Sequence, residues 1–221
     1  MNNQISIIIA TKKFSSNLVK TLNSINQQSY DPYEIIIVSN EKISKCFNFN
    51  KKILLKKFTS KIKNQVFQRN IGVNNLSKKT NLILQLDDTV ILNKDCLYQL
   101  NEFWISAGSS IVGVGINQIN TLKNNGLFNK LFSKLSIFKG KVLRNGISVD
   151  YSNVKDDLEV MWLKGGLSSW NLKKIKQINK RKYPLWTWSV FEDVDFSLSK
   201  KKNEKLFVSS KAKAKIIEKR N

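Results

Sequence analysis

Short apolar runs alternate with segments of helical periodicity through the first half of the chain. Ile5-Ser-Ile-Ile-Ile9 reads as a buried strand. Between Asn17 and Gln28, Leu18, Val19, Leu22 and Ile25 share one helical face, and Ser15 or Ser16 stands where a cap belongs. Asp31-Pro32 marks a turn, and Glu34-Ile-Ile-Ile-Val38 is a second strand. A weaker helical pattern runs from about Val66 to Leu76. Leu82-Ile-Leu-Gln-Leu86 is a third strand, followed directly by two aspartates. Asp95 to Trp104 is a short helix with Leu97, Leu100 and Trp104 on one face, and Ile111 to Val114 is a further strand. Strand and helix alternating in this way predict an α/β fold: a mostly parallel central sheet flanked by helices. No repeat or Gly/Ser-rich linker interrupts the chain. One domain over residues 1–221 is expected, its character changing near residue 105.

Composition narrows the chemistry. The chain has 221 residues, 41% of them hydrophobic, which suffices for one well-packed core. No apolar stretch approaches the ~18 residues of a membrane-spanning helix. Met1 to Gln4 carry no basic leader, and Ile5 to Ala10 is too short for a signal peptide, so a cytoplasmic location is expected. Cys46 and Cys96 lack metal-ligand or redox spacing and read as small buried side chains. There is no histidine. Ser-His and Cys-His catalysis and histidine-ligated metals are thereby excluded, and acid–base work falls to carboxylates, Lys or Tyr. The net charge is +22. A field of that sign attracts nucleotides, nucleic acid or anionic membrane. The abundance of Lys, Asn and Ile also fits coding sequence from an AT-rich genome, and the count alone leaves both readings open.

Acids are scarce, so their clusters stand out. Asp87 and Asp88 follow the third strand, and ligands of open parallel sheets bind at the carboxyl ends of the strands. Oxygen ligands there can hold a hard divalent cation that neutralises a diphosphate. The plainer reading of the pair is a turn or helix cap. Glu192-Asp193-Val194-Asp195 places three acids in four positions. The plainer reading makes one of them a cap for a helix running through Leu198, and a carboxylate there can also accept a proton from a bound hydroxyl. Gly165-Gly166, after Trp162-Leu-Lys, permits close approach of backbone to a ligand, or simply makes a tight turn. Of the tryptophans at 162, 170, 186 and 188, one is expected to contact a sugar, and the others to pack.

Taken in order, these segments resemble the family 2 glycosyltransferases, which have the GT-A fold, and the resemblance spans nearly the whole chain. Ile5-Ser-Ile-Ile-Ile-Ala-Thr resembles the opening strand whose end, here Ala10 and Thr11, meets the nucleotide. Thr21-Leu-Asn-Ser-Ile-Asn-Gln-Gln-Ser-Tyr and Glu34-Ile-Ile-Ile-Val resemble the first helix and second strand. Gln68-Arg-Asn-Ile-Gly resembles the segment whose arginine, here Arg69, lies near the nucleotide. Leu84-Gln-Leu-Asp-Asp-Thr-Val-Ile-Leu resembles the DxD region, Trp162-Leu-Lys-Gly-Gly-Leu the acceptor-side glycine motif, and Glu192-Asp-Val-Asp-Phe-Ser-Leu the ED motif.

The resemblance implies a Rossmann-like nucleotide-sugar-binding half, about 1–104, and an acceptor and catalytic-base half, about 105–221. It implies a nucleoside diphosphate sugar donor, Mg²⁺ or Mn²⁺ on Asp88 with help from Asp87, and Asp193 as base with Glu192 orienting. Lys12, Arg69 and Asp87 are implied at the nucleotide, and Trp162, Gly165 and Gly166 on the acceptor side. Inversion at the anomeric carbon, a saccharide or lipid-linked acceptor, and a place in cell-surface polysaccharide or glycolipid synthesis follow as expectations. The sequence also departs from the pattern. Ser39-Asn40-Glu41 stands where the family often has a base-recognising aspartate, the first DxD acid is Leu86, and Trp170-Asn171 occupies the region of an arginine pair.

Residues 126–139 contain no acid. Leu127, Phe128, Leu131, Phe132, Leu135 and Phe138 fall on one helical face with Lys130 and Lys134 off it. That pattern fits peripheral contact with the inner face of a membrane, or a helix packed on the sheet. Two other readings remain: a catalytically degenerate relative, and a basic protein that binds nucleic acid or membrane. No zinc spacing, RNP-like segment or helix-turn-helix supports specific nucleic-acid recognition.

Overall fold

The computed structural model describes residues 3–44, 47–49, 52–120, 136–172 and 191–217. Cys46, Trp186, Trp188 and the 126–135 part of the basic segment lie outside them.

The first half follows the expected order. β1 (Ile5–Thr11) is buried along its whole length, as is β2 (Glu34–Ser39), because both faces of an inner parallel strand are covered. Between them, α1 (Ser16–Asn26) starts at Ser15, whose hydroxyl accepts from the Leu18 N–H, and buries Leu18, Leu22 and Ile25 at helical spacing. β3 (Leu54–Thr59) follows, then α2 (Gln65–Asn74), capped by Asn64 through the Phe67 N–H at 3.1 Å. Gly72 lets α2 press onto β1, since a Cβ there would stand 2.5 Å from Ile8 Cγ2. β4 (Leu82–Asp87), β5 (Val90–Leu92) and α3 (Cys96–Ser106) complete this half.

The second half comprises β6 (Ile111–Gln118), β7 (Leu158–Val160), β8 (Leu167–Asn171), α4 (Glu192–Leu198) and β9 (Lys205–Ile216). Among the described residues the sheet has nine strands, in the order β3-β2-β1-β4-β8-β6-β9-β5, with β7 paired to β9. β3, β2, β1 and β4 are parallel. β8 runs antiparallel to both β4 and β6, and β6 is parallel to β9. The architecture is therefore α/β, with its parallel block built by the first half of the chain. Helices α1 and α3 cover one face, over Ile7, Ile9, Leu84 and Leu86, and α2 and α4 cover the other, over Ile8, Ile83 and Trp170.

Strands β3, β5, β7, β8 and β9 lie outside the expected elements. β3 is a half-exposed edge with Lys56 and Lys57 breaking its alternation. β8 is central, yet two of its four buried positions are serines: Ser169 Oγ accepts from Trp104 Nε1 at 2.6 Å, and Ser168 Oγ from Trp170 Nε1 at 3.0 Å. One acid in the sheet is wholly buried. Glu34 pairs with Lys56 at 2.7 Å and accepts from Ser6, Ser77 and Thr80. Burial alone would raise its pKa; the Lys56 and serine hydrogen bonds outweigh that, and the net shift is downward.

Candidate active site

The parallel strands end together. Register sets Ala10 beside Val38 and Asp87, and Thr11 beside Ser39, so the predicted nucleotide-side residues share one edge of the sheet. Thr11 donates its hydroxyl to Asp88 Oδ2, and Gln68 Nε2 holds the Thr11 carbonyl at 2.7 Å. Asn40 Nδ2 bonds the Ser60 and Ile62 carbonyls at 3.1 and 2.9 Å, and its N–H donates to the Lys12 carbonyl at 3.2 Å. Ser39 Oγ donates to Glu41 O. The Lys12 side chain is exposed at the same rim.

The glycine pair reaches this edge through β8. Leu167 pairs with Leu86, and the Asp87 N–H donates to Gly166 O at 3.1 Å, so the glycine pair lies alongside Asp87. The space left for it is small. A Cβ on Gly166 would stand 2.1 Å from Asp87 Cγ. One on Gly165 would stand 2.8 Å from Arg69 Nη1 and 3.1 Å from Glu192 Oε1. Glycine is required here because carboxylates and a guanidinium crowd the backbone from both sides.

Arg69 ties the two acidic clusters together. Its side chain is 2% exposed; Nη2 contacts Asp87 Oδ1 at 2.9 Å and Nη1 contacts Glu192 Oε1 at 2.6 Å. A desolvated guanidinium requires such counter-charges. Gln65, one turn before Arg69 on α2, adds a bond from Nε2 to the same Asp87 oxygen at 2.6 Å. The α4 acids occupy its first turn, where the helix field favours negative charge. None caps it through a side chain: the position before the helix is Phe191, at φ 63°. Asp193 instead accepts from the Val194 N–H through Oδ1 at 2.9 Å and from the Gly165 N–H through Oδ2 at 3.2 Å.

Asp87, Asp88, Arg69, Gly165, Gly166, Glu192 and Asp193 are thus in one linked neighbourhood. Trp162 is not at its surface. The indole is buried, donates to Val149 O at 3.3 Å and stands 5.2 Å from the Tyr151 ring. Trp170 is likewise in the core, edge-on to Phe196. Gln65 lies outside every motif, and Gln68 and Lys164 lie inside motifs that assign them no role. The four-residue spacing of Gln65 and Arg69 was the available signal, since it places both on one face of α2.

No group of three or more Cys, Asp or Glu able to hold a metal ion occurs among the described residues. The two oxygen donors at the end of β4 are hard, and Asp87 gives one of its oxygens to Arg69 and Gln65. Such a set suits Mg²⁺ or Mn²⁺ shared with a diphosphate and water, and does not make an all-protein cage.

Comparison with known families decides the lineage: residues 6–154 match the model of glycosyl transferase family 2. The chain belongs to that family. Curated protein sequences give no match. Among solved structures, this glycosyltransferase chain resembles S. aureus TarS 1-349 in complex with UDP-GlcNAc, at TM-score 0.62 and 16% identity, over 99% of this chain and 59% of that one. It also resembles the mannosyltransferase PcManGT from Pyrobaculum calidifontis in complex with GDP-Man and Mn²⁺, at TM-score 0.65 and 10% identity, over 100% and 59%. A third is GalNAc-T7 with UDP, GalNAc and Mn²⁺, at TM-score 0.64 and 16% identity, over 98% and 44%. These likenesses establish the GT-A fold, and the chain spans about three-fifths of the length of the first two. No helix among the described residues is long and apolar enough to cross a membrane.

Proposed function

We propose that the chain is an inverting glycosyltransferase that moves a sugar from a nucleoside diphosphate sugar to a hydroxyl of a saccharide or lipid-linked saccharide. The observation that carries this reading is the Arg69 bridge between Asp87 and Glu192, which sets the donor-side and acceptor-side acids around a single glycine pair. Neighbours of the same fold bind UDP, UDP-GlcNAc or GDP-Man, two of them with Mn²⁺, which suggests the donors to try first.

In this reading Ala10, Thr11, Lys12, Ser39 and Asn40 form the rim that receives the nucleoside. Asp87 meets the ribose side and Asp88 is the principal metal ligand, held in place by Thr11. A bound Mg²⁺ or Mn²⁺ would neutralise charge developing on the leaving diphosphate. Asp193 takes the proton of the acceptor hydroxyl as its oxygen bonds the anomeric carbon and the carbon–phosphate oxygen bond breaks. Glu192, fixed by Arg69, orients the acceptor. No covalent intermediate is needed. Such chemistry belongs to the building of cell-surface polysaccharide or glycolipid, and peripheral membrane contact through 126–139 would suit a lipid-linked acceptor.

The test is turnover of a panel of UDP- and GDP-sugars with Mn²⁺, wild type against Asp193→Asn. Loss of a general base predicts a fall of about 10²–10⁴-fold, with donor affinity nearly unchanged. Wild-type turnover in the variant removes Asp193 from the mechanism.

A further inference from the structure

A second buried cation stands beside the site. Lys164 directly precedes the glycine pair, and its side chain is 18% exposed. Its ammonium contacts Asp150 Oδ1 at 2.6 Å and donates to Gln118 Oε1 at 2.7 Å and Ser152 Oγ at 2.8 Å. Those three contacts use all the donors an ammonium has. Nζ also lies 4.9 Å from the centre of the Tyr151 ring, and the Lys164 N–H donates to the Tyr151 hydroxyl. Tyr151 is fully buried. Backbone and side chain of residue 164 are therefore both pinned, by the end of β6 and by segment 150–152.

The electrostatics agree. Burial lowers the Lys164 pKa, opposed first by Asp150 and then by Asp193. Burial would raise the Asp150 pKa, but Lys164 and Ser152 outweigh it and the net shift is downward. Burial pushes the Tyr151 hydroxyl well up, and the carboxylates of Asp193 and Asp150 add to that rise, so it remains a neutral acceptor. Among the described residues, the charged groups placed near Asp193 include Glu192 and Asp87, both paired to Arg69.

We propose that Lys164, locked by Asp150, Gln118 and Ser152, is the positioning residue for Asp193. It fixes the peptide whose Gly165 N–H holds Asp193 Oδ2. The inference rests on Asp193 acting as base. A lysine whose three donors are spent on protein has none left for substrate, so its contribution passes through Gly165 and Asp193.

The experiment pairs crystal structures of wild type and Lys164→Met with donor hydrolysis kinetics, using UDP-GlcNAc and GDP-mannose with Mn²⁺ as probes. The expected result is loss of the Gly165–Asp193 hydrogen bond, a fall in kcat of about tenfold or more from the misplaced base, and an unchanged donor KM. Either an intact Gly165–Asp193 bond or an unchanged kcat overturns the proposal. If Lys164→Met does not fold, Asp150→Asn removes the counter-charge alone and is read in the same way. A wild type that turns over no nucleotide sugar defeats the proposed function instead, and the presence or loss of the Gly165–Asp193 bond in the variant then decides this inference.

Discussion

At Asp87 one residue serves three neighbours. Its Oδ1 meets Arg69 and Gln65, and its backbone N–H is tied to Gly166. The closeness that Gly166 permits is therefore closeness to this acid. Gly166→Ala would put a methyl 2.1 Å from Asp87 Cγ, a clash that only movement of β8 or of the carboxylate relieves. Overpacking of this kind costs about 1–3 kcal/mol. The variant should be less stable by that amount and lose donor-dependent activity, both measurable on one preparation by urea titration and sugar-release assay. Wild-type stability and activity together would show that the glycine pair is an ordinary turn. The sequence made the acids, the glycines and Arg69 visible as separate signals. It held nothing to say that Arg69 spans Asp87 and Glu192, because partners 18 and 123 positions away are chosen by the fold.

Among the elements, α2 and β8 do the assembling. α2 presents Gln65, Gln68 and Arg69 to the site and is seated by Gly72 on Ile8. Its start depends on Asn64. Asn64→Ala should cost about 1 kcal/mol, the worth of a lost cap, and lower the melting temperature by roughly 2–4 °C. An unchanged melting temperature would mean that packing on β1 alone holds the helix. β8 brings the glycine pair to Asp87 by pairing antiparallel with β4. It was hard to read because its Leu-Ser-Ser-Trp-Asn run lacks the apolar alternation of a strand, its serines being satisfied by tryptophan N–H groups from β8 itself and α3. β9 hides for a related reason, its lysines alternating with small buried alanines. β1, β2 and β4 were legible because strands buried on both faces leave unbroken isoleucine and leucine runs.

For the whole molecule, the inserted β8 makes one continuous sheet of the two halves, so Asp87 and Gly165-Gly166, far apart in the chain, end at one rim. In the first half β1, α1, β2, α2, β4 and α3 could be anticipated in order and nearly in extent, and β3 and β5 could not. Of the second half only β6 could, since the other strands are short or polar and pair with partners far away in the chain. The central claim is that this rim is a nucleotide-sugar site. Its most direct test is a crystal of the protein with UDP or GDP and Mn²⁺, read by anomalous scattering at the manganese edge. The account predicts a manganese peak at the Asp88 carboxylate, with the diphosphate lying between the ends of β1 and β4 and the Gly165-Gly166 backbone. A nucleotide seated on another face, with no manganese at Asp88, would contradict it.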